Sequence, residues 1–375
     1  MGRNMKRFLA LLLFGVSLFA QRVVVVHSVW GSPGGISLMN VFPPFSLRNG
    51  ISPHGATLNK VIYSSGHLFT VSSGNGKVYI FTDDNIPNLQ DSIEFGPTTN
   101  PYSAVVSGNK ILVSLWEVDS LVSYDINTKN RLWGLGVWRS PQYVGYNGNY
   151  YFAISTGYNR STFTTDTSII YKIDTLGNIV DSLKLGINLL YMDFLGGDSA
   201  IISGGDFFTS STWKIYVIST NPLAVLDSVS APASFGFVKR VNGDTVLALS
   251  YFWAYYYLIS SRAFIPLPLG SYYGFSEGEV YNERLFILAA GNYTSNGDLI
   301  VFNRNTNTIE HVSTVEVGPI SITLSPTTLS SREYIVREPG VKGIYDVSGR
   351  KVDKLNGKGV YFVVDGKTLR RVVVR

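Results

Sequence analysis

Short apolar runs of four to six residues recur along most of the chain, separated by clusters of Gly, Asn, Asp and Ser. The clearest set is His67–Ser72 (HLFTVS), Lys110–Leu115 (KILVSL), Tyr150–Ser155 (YYFAIS), Ser199–Ser203 (SAIIS), Thr245–Ser250 (TVLALS) and Arg284–Ala289 (RLFILA). Each follows a turn signal such as SGN, NGN or NGD and precedes a second run: Lys77–Phe81, Ser120–Tyr124, Ile169–Ile173, Lys214–Ile218, Tyr255–Ile259 and Asp298–Phe302. A third run closes several units, as in Asp91–Phe95, Asp181–Leu185 and Thr308–Val312. Alternating or continuous apolar stretches of this length predict half-buried or fully buried strands. Their repeat of roughly 40 to 50 residues is the period of a four-stranded propeller blade.

Six units lie between about Thr57 and Val317, and a seventh starts the body of the chain. In that unit Arg22–His27 (RVVVVH) matches the first run and Ile36–Val41 (ISLMNV) the second, but no inner strand precedes them. The segment Ile320–Leu324 (ISITL) has the character of an inner strand and lacks a unit of its own. Ring closure resolves both: the late segment completes the first blade and removes a sheet edge open to aggregation. The expected fold is all-β, a seven-bladed β-propeller (six or eight blades being the alternatives) followed by a small C-terminal β-sandwich.

One unit is sharper than the others: Asn100-Pro101-Tyr102-Ser103, Val105-Val106-Ser107-Gly108-Asn109-Lys110, Val113-Ser114, Asp119-Ser120-Leu121-Val122 and Asp125-Ile126-Asn127-Thr128. It resembles the blade repeat of YVTN-type (YncE-like) propellers, although the YVTN tetrapeptide itself is missing. The resemblance extends over most of residues 22–325 and implies a fold rather than an activity.

The two ends differ from the body. Arg3, Lys6 and Arg7 precede the apolar stretch Phe8–Phe19 and the small residue Ala20, the layout of a cleaved signal peptide. The stretch is short for a membrane span, so the mature chain is expected to have none. At the other end stand Ile344-Tyr345-Asp346-Val347-Ser348-Gly349-Arg350-Lys351-Val352, then Gly359-Val360-Tyr361-Phe362, Gly366 and the basic–apolar ending Arg371–Arg375. This series resembles the type A C-terminal sorting domain of the type IX secretion system. The resemblance implies that Tyr345, Asp346, Gly349, Arg350, Val352, Gly359, Tyr361, Phe362 and Gly366 form a signal read by that machinery. It places the protein outside the cell or on its outer surface, after passage through the periplasm. The expected organisation is a signal peptide over 1–20, a propeller over 21–325, a Ser/Thr/Pro-rich linker over 326–340 and the sorting domain over 341–375, or from near 327.

Charge follows the same division. The net +5 of the chain comprises +3 on the leader, +6 after Pro326 and −4 on the propeller body. An acidic body offers no phosphate-tracking surface, so nucleic acid is not an expected partner. The absence of cysteine removes disulfides, a lipoprotein anchor, thiol nucleophiles and thiolate metal sites. The four histidines, His27, His54, His67 and His311, lack metal-binding spacing, and His27 and His67 read as structural. Asp83-Asp84-Asn85 lacks the Gly and distal Glu of a calcium loop and reads as a turn. No hydrolase elbow and no carboxylate pair is marked out. No catalytic residue, metal or cofactor is therefore assigned.

Aromatic residues in loops remain. In a four-stranded blade, the loop after the second strand and the link to the next blade share one face. Trp30, Trp116, Trp138, Trp253, Tyr272 and Tyr273 fall there and are the candidate binding residues, for stacking against polysaccharide or peptide. The expected inner strands, such as Ala104–Ser107, Tyr143–Tyr146 and Phe237–Arg240, read as apolar or small, with Asp193 and Arg240 the exceptions. The expectation is a non-catalytic binding or adhesion protein. A secreted propeller enzyme of lactonase or quinoprotein type, or a surface-layer component, is the alternative.

Overall fold

In the computed structural model the described residues are 20–28, 33–43, 45–204 and 213–327, together with four strands between 342 and 374. The leader 1–19, Trp30, residues 328–341, and Gly349, Arg350 and Gly366 of the sorting motif lie outside them. The chain divides into two compact units, one of them residues 21–325.

That unit is a ring of seven four-stranded antiparallel blades. Blades 2 to 7 each run from an inner to an outer strand in chain order. Their inner strands are Leu58–Ser64, Pro101–Ser107, Pro141–Tyr146, Leu189–Gly196, Phe235–Arg240 and Phe275–Tyr281. Blade 1 is composite: its order is Leu47–Ala56, Pro33–Asn40, Ala20–His27 and then Pro319–Thr327, so the last strand of the ring is the inner strand of the first blade. The closure read from Ile320–Leu324 is therefore observed. The recurrent apolar runs are the second and third strands of their blades. His67–Ser72, Lys110–Leu115, Thr245–Ser250 and Arg284–Ala289 have the expected bounds.

These runs are apolar throughout because both faces of a blade's middle are covered. In blade 1, Val23 and Val25 join Phe286, Leu288 and Val301 of blade 7, while Val24 and Val26 join Leu58, Leu68 and Phe81 of blade 2. The closing strand follows the same alternation, with Ile322 in the first cluster and Ile320 against the second. Gly318 feeds this strand at φ +67°, and a Cβ there would stand 2.3 Å from the Ser28 carbonyl oxygen. Only glycine fits the turn and the approach.

Polar bonds fix the same seam. Arg22 donates through Nε to Ser325 Oγ at 3.0 Å and pairs through its terminal nitrogen with Asp83 of blade 2, all three deeply buried. The Asp83-Asp84-Asn85 segment is thus a turn whose first carboxylate serves the closure.

The C-terminal segment is described by backbone alone. Lys351–Val352, Lys342–Asp346, Gly359–Asp365 and Thr368–Val374 form one antiparallel sheet in that order. The expected sandwich is represented among the described residues by this sheet. Tyr345 pairs with Lys351 on one side and with Phe362 on the other, and Asp346 pairs with Tyr361. No helix among the described residues is long and apolar enough to cross a membrane.

His27 is buried, and its Nε2 has no hydrogen-bond partner. Burial, reinforced by nearby His54, lowers its pKa to about 4. The unfolded chain therefore takes up a proton below about pH 6.5 that the folded chain refuses. Stability should fall as pH drops from about 6.5 to 4, by up to about 3 kcal/mol from this residue. Urea unfolding across that range should show the slope, and His27→Gln should reduce it. In a second test, Arg22→Leu leaves the Asp83 carboxylate buried and unpaired. Unfolding free energy at neutral pH should drop by about 3–5 kcal/mol, and adding Asp83→Asn should recover most of the loss.

Candidate functional site

The inner strands begin irregularly, and the irregularity repeats. In blades 2 to 6 the first inner residue pairs with the second strand, one residue is skipped, and pairing resumes: Leu58 then Lys60, Pro101 then Ser103, Pro141 then Tyr143, Leu189 then Tyr191, Phe235 then Phe237. Blade 7 bulges at the same place, skipping Ser276 and Glu277. Such bulges re-aim side chains, and here they bring equivalent positions of several blades together at the axis. Lys60 of blade 2 donates to Tyr191 Oη of blade 5 at 3.3 Å and to Glu277 Oε1 of blade 7 at 2.6 Å. A side chain that bonds blades on opposite parts of a ring must cross its centre.

Around this crossing lies a polar cluster. Glu277 Oε2 accepts from Ser321 Oγ at 2.7 Å and from the Ile322 amide at 3.2 Å, both on the closing strand. Ser321 Oγ in turn accepts from the Val61 amide at 3.2 Å. Two residues further along the strands, Lys239 donates to Glu279 at 3.2 Å, and Asp193 accepts from the Arg240 amide at 2.6 Å. Tyr143 and Tyr191 stand edge to face at 5.1 Å beside these groups.

This corrects the expectation of an apolar or small channel lining. Asp193 is there, but so are Lys60, Lys239, Glu277 and Glu279, carried by the inner strands of blades 2, 6 and 7. The pair Glu277 and Glu279 was legible as S-E-G-E over Ser276–Glu279, an alternation placing two carboxyls on one face of a strand. The signal was missed because these strands are neither continuously apolar nor bounded by the turn residues that marked their neighbours. Residues such as Ala104, Val144 and Met192, at the intervening positions, are buried between blades.

The cluster sets two ammonium groups, Lys60 and Lys239, against three carboxyls, Asp193, Glu277 and Glu279. Burial pushes the carboxyls of Asp193 and Glu279 up, and Lys239 pulls both back. Burial alone would lower the Lys239 ammonium, but Glu279, Asp193 and Tyr191 together hold it above the ordinary lysine range. Burial and the surrounding carboxylates raise the Tyr143 and Tyr191 phenols well above theirs. These groups are enclosed by protein yet keep solvent contact, with 17% of the Lys60 side chain and 27% of that of Lys239 accessible.

The loop face opens above this floor. Tyr102, the skipped residue of blade 3, is 37% exposed, and its phenol is raised by burial and by Glu277. Burial, then Tyr251 and Tyr102, raise the phenol of Tyr293, which lies in a loop of blade 7. Tyr293 stacks on Tyr251 at 6.3 Å, and Tyr251 touches Phe252 at 4.7 Å and Tyr273 at 6.1 Å. Trp253, in the same loop as Phe252, is 58% exposed.

The six candidate rings therefore have different fates. Trp253 and Tyr273 are exposed in the blade 6–7 group, and Tyr272 is partly buried against the core between those blades. Trp138 is partly exposed, with the Arg139 guanidinium 4.8 Å from its ring. Trp116 is half-buried, with Tyr158 stacked at 6.0 Å and Arg160 at 5.2 Å. Trp30 lies outside the described residues. The structure brings Trp253 and Tyr273 into one neighbourhood and sets Trp116 and Trp138 in another, at blades 3 and 4. Among the described residues no group of three or more His, Asp or Glu could hold a metal ion.

No family profile and no curated protein matches the chain. Solved structures do. A 6-phosphogluconolactonase candidate from Bacteroides fragilis aligns over 83% of this chain and 99% of its own at 13% identity, with a TM-score of 0.63. The computationally designed Ika8 protein aligns over 94% and 93% at 11% identity, with a TM-score of 0.57. The WD40 propeller domain of Doa1 aligns over 94% and 96% at 8% identity, with a TM-score of 0.58. The protein is a seven-bladed β-propeller. At these identities the likeness is one of fold alone.

Replacing Lys60 with Met should leave Glu277 with its closing-strand bonds but no counter-charge. We expect a lower thermal midpoint that Glu277→Gln, added to Lys60→Met, partly restores. Unchanged midpoints in both would show that the axial pair contributes nothing to closure.

Proposed function

We propose that this is an exported binding or adhesion protein, delivered to the outer surface or medium, that recognises its ligand on the loop face of the propeller and does no chemistry on it. The observation that carries the reading is the pairing of an exposed aromatic rim with a partly solvated axial floor of paired charges on one face. Rings stack on the apolar faces of sugars. Paired ammonium and carboxylate groups supply donors and acceptors, and the one carboxyl in excess leaves no positive charge to attract an anionic ligand. Polysaccharide fits this surface better than nucleic acid or an acidic polymer. The engagement of both Glu277 oxygens argues against that residue as a catalytic base.

The YVTN-type ancestry is supported by the strands Pro101–Ser107, Lys110–Leu115 and Ser120–Asp125, which fall where that repeat would put them. The sorting role of the C-terminus is supported by the motif Tyr345–Val352 and Gly359–Phe362 and by the strand pairing of its parts. Deletion from residue 341 onward should leave folded propeller in the periplasm of a type IX-competent host. Arrival at the surface at normal yield would sink the sorting assignment. Binding is tested by a glycan array with the parent and a Tyr102→Ala, Trp253→Ala variant. Equal binding by the folded variant would remove the loop face from consideration.

A second reading, hydrolysis within the channel, is favoured by the raised carboxyls of Asp193 and Glu279. It predicts lactone or glycoside turnover that Glu279→Gln abolishes.

A further inference from the structure

Two aromatic residues among those described adopt the left-handed backbone region, Phe163 at φ 56° and Tyr293 at φ 60°. Bulky side chains are disfavoured there, and Gly or Asn would be the less costly choice. The fold gains little in return from Phe163, whose surface is 79% exposed, whereas Tyr293, 37% exposed, is partly repaid by its stack on Tyr251. A residue such as Phe163, which loses on backbone strain and returns little packing, points to something outside the folded monomer.

Both lie in the loop between the second and third strands of their blades, hence on the same face. Phe163 belongs to blade 4 and Tyr293 to blade 7. In a ring of seven, three blades is the greatest separation possible. Phe163 is firmly presented. It sits in a short ribbon where Tyr158 pairs with Thr165 and Asn159 with Thr164, and its amide donates to Asn159 O at 2.8 Å. Arg160 latches this ribbon to the body, donating to Trp116 O at 2.6 Å and to Asp119 and Ser140 Oγ, each at 2.9 Å. Trp116 and Tyr158 stack behind the latch. The axis of the ring passes between these two blades, and Tyr102, whose phenol is raised by burial and by Glu277, lies near enough to Tyr293 to help raise its phenol in turn.

We infer that the ligand is a linear polyhydroxylated chain lying across the mouth, stacked on the blade 6–7 rings at one end and on Phe163 at the other, with the axial polar groups beneath its middle. This rests on the binding reading above and deepens it. A single sugar can reach one ring cluster only. An extended peptide carries a row of backbone donors and acceptors that asks for an open strand edge, and this face is made of loops. A polyanion finds no net positive floor. A chain of neutral sugar rings meets stacking surfaces at both ends and hydrogen-bonding groups of both kinds between them.

The experiment is calorimetric titration of the full chain with cello-, xylo-, manno- and chito-oligosaccharides from disaccharide to octasaccharide. An unstructured Gly/Ser/Thr peptide of similar length serves as the competing probe. Affinity for one series should climb with length and then level off. Phe163→Gly should weaken the longest ligand about five-fold, the worth of one stacked ring, and leave the disaccharide unchanged. The same substitution should raise the thermal midpoint, because it relieves strain without opening the core. If disaccharide and octasaccharide bind equally, the spanning arrangement is wrong while sugar binding stands. If the peptide binds and no sugar does, the ligand class is wrong. If neither binds, the loop-face reading falls with it. If Phe163→Gly binds the octasaccharide as tightly as the parent, Phe163 is no part of the site.

Discussion

Everything in the propeller depends on one seam, where the strand Pro319–Thr327 lies beside Ala20–His27. A ring of sheets is stable only if its last interface closes, because each blade buries its faces against two neighbours and an open ring leaves two faces bare. Hydrogen bonding along one strand pair holds the first and last parts of the chain together. Apolar alternation does the rest, with Ile320 and Ile322 entering the clusters on opposite sides of blade 1. With no cysteine, no covalent staple can substitute. The buried Arg22, Asp83 and Ser325 give the seam one geometry, since a charge there without its partner would be costly.

The same constraint shapes the axis. Glu277 reaches from blade 7 to Ser321 and Ile322 of the closing strand and to Lys60 of blade 2, so one carboxylate spans the three inner strands around the seam. Part of the charge in the channel is thus spent on architecture. The pair Lys239–Glu279 and the neighbouring Asp193 lie off the seam, in blades 5 to 7, and keep donors and acceptors that no closure bond uses. The polar cluster thus has a structural half at the seam and a second half free of closure bonds.

The middle of each blade was legible in the sequence, and its two margins were not, for a physical reason. Second and third strands face neighbouring blades on both sides, so they read as continuous apolar runs between turns. Inner strands such as Leu58–Ser64 and Phe275–Tyr281 mix one apolar face with polar groups that meet at the axis, and a bulge breaks their alternation at the start. Outer strands such as Arg131–Gly136 and Leu223–Ser230 are open to solvent along much of their length. Closure was readable because Arg22–His27 lacked an inner partner and Ile320–Leu324 lacked a blade. The aromatic loops were readable as a set, but not ring by ring. Nothing in the sequence separates Trp253, left in solvent, from Trp116, packed between Tyr158 and Arg160, because that distinction is made by an arginine two blade-loops away in the chain.

The two faces of the ring are consequently unequal. One is built from turns such as Ser107-Gly108-Asn109 and Asn242-Gly243-Asp244, where the chain reverses with its own backbone and short polar side chains satisfying the exposed groups. The other carries the longer connections, the ribbon of blade 4 and the links between blades, and with them the exposed rings. Backbone strain follows the same asymmetry. On the turn face the left-handed region is taken by Gly66, Gly108, Gly148 and Asn282, and also by the polar residues Ser65, Lys129 and Arg262. On the loop face the region is also occupied by Tyr293, which is repaid by its stack on Tyr251, and by Phe163, for which it is a cost with little structural return. What separates the faces is therefore the kind of side chain held at such positions, short or charged groups at the reversals of one face and an exposed aromatic ring, Phe163, on the other.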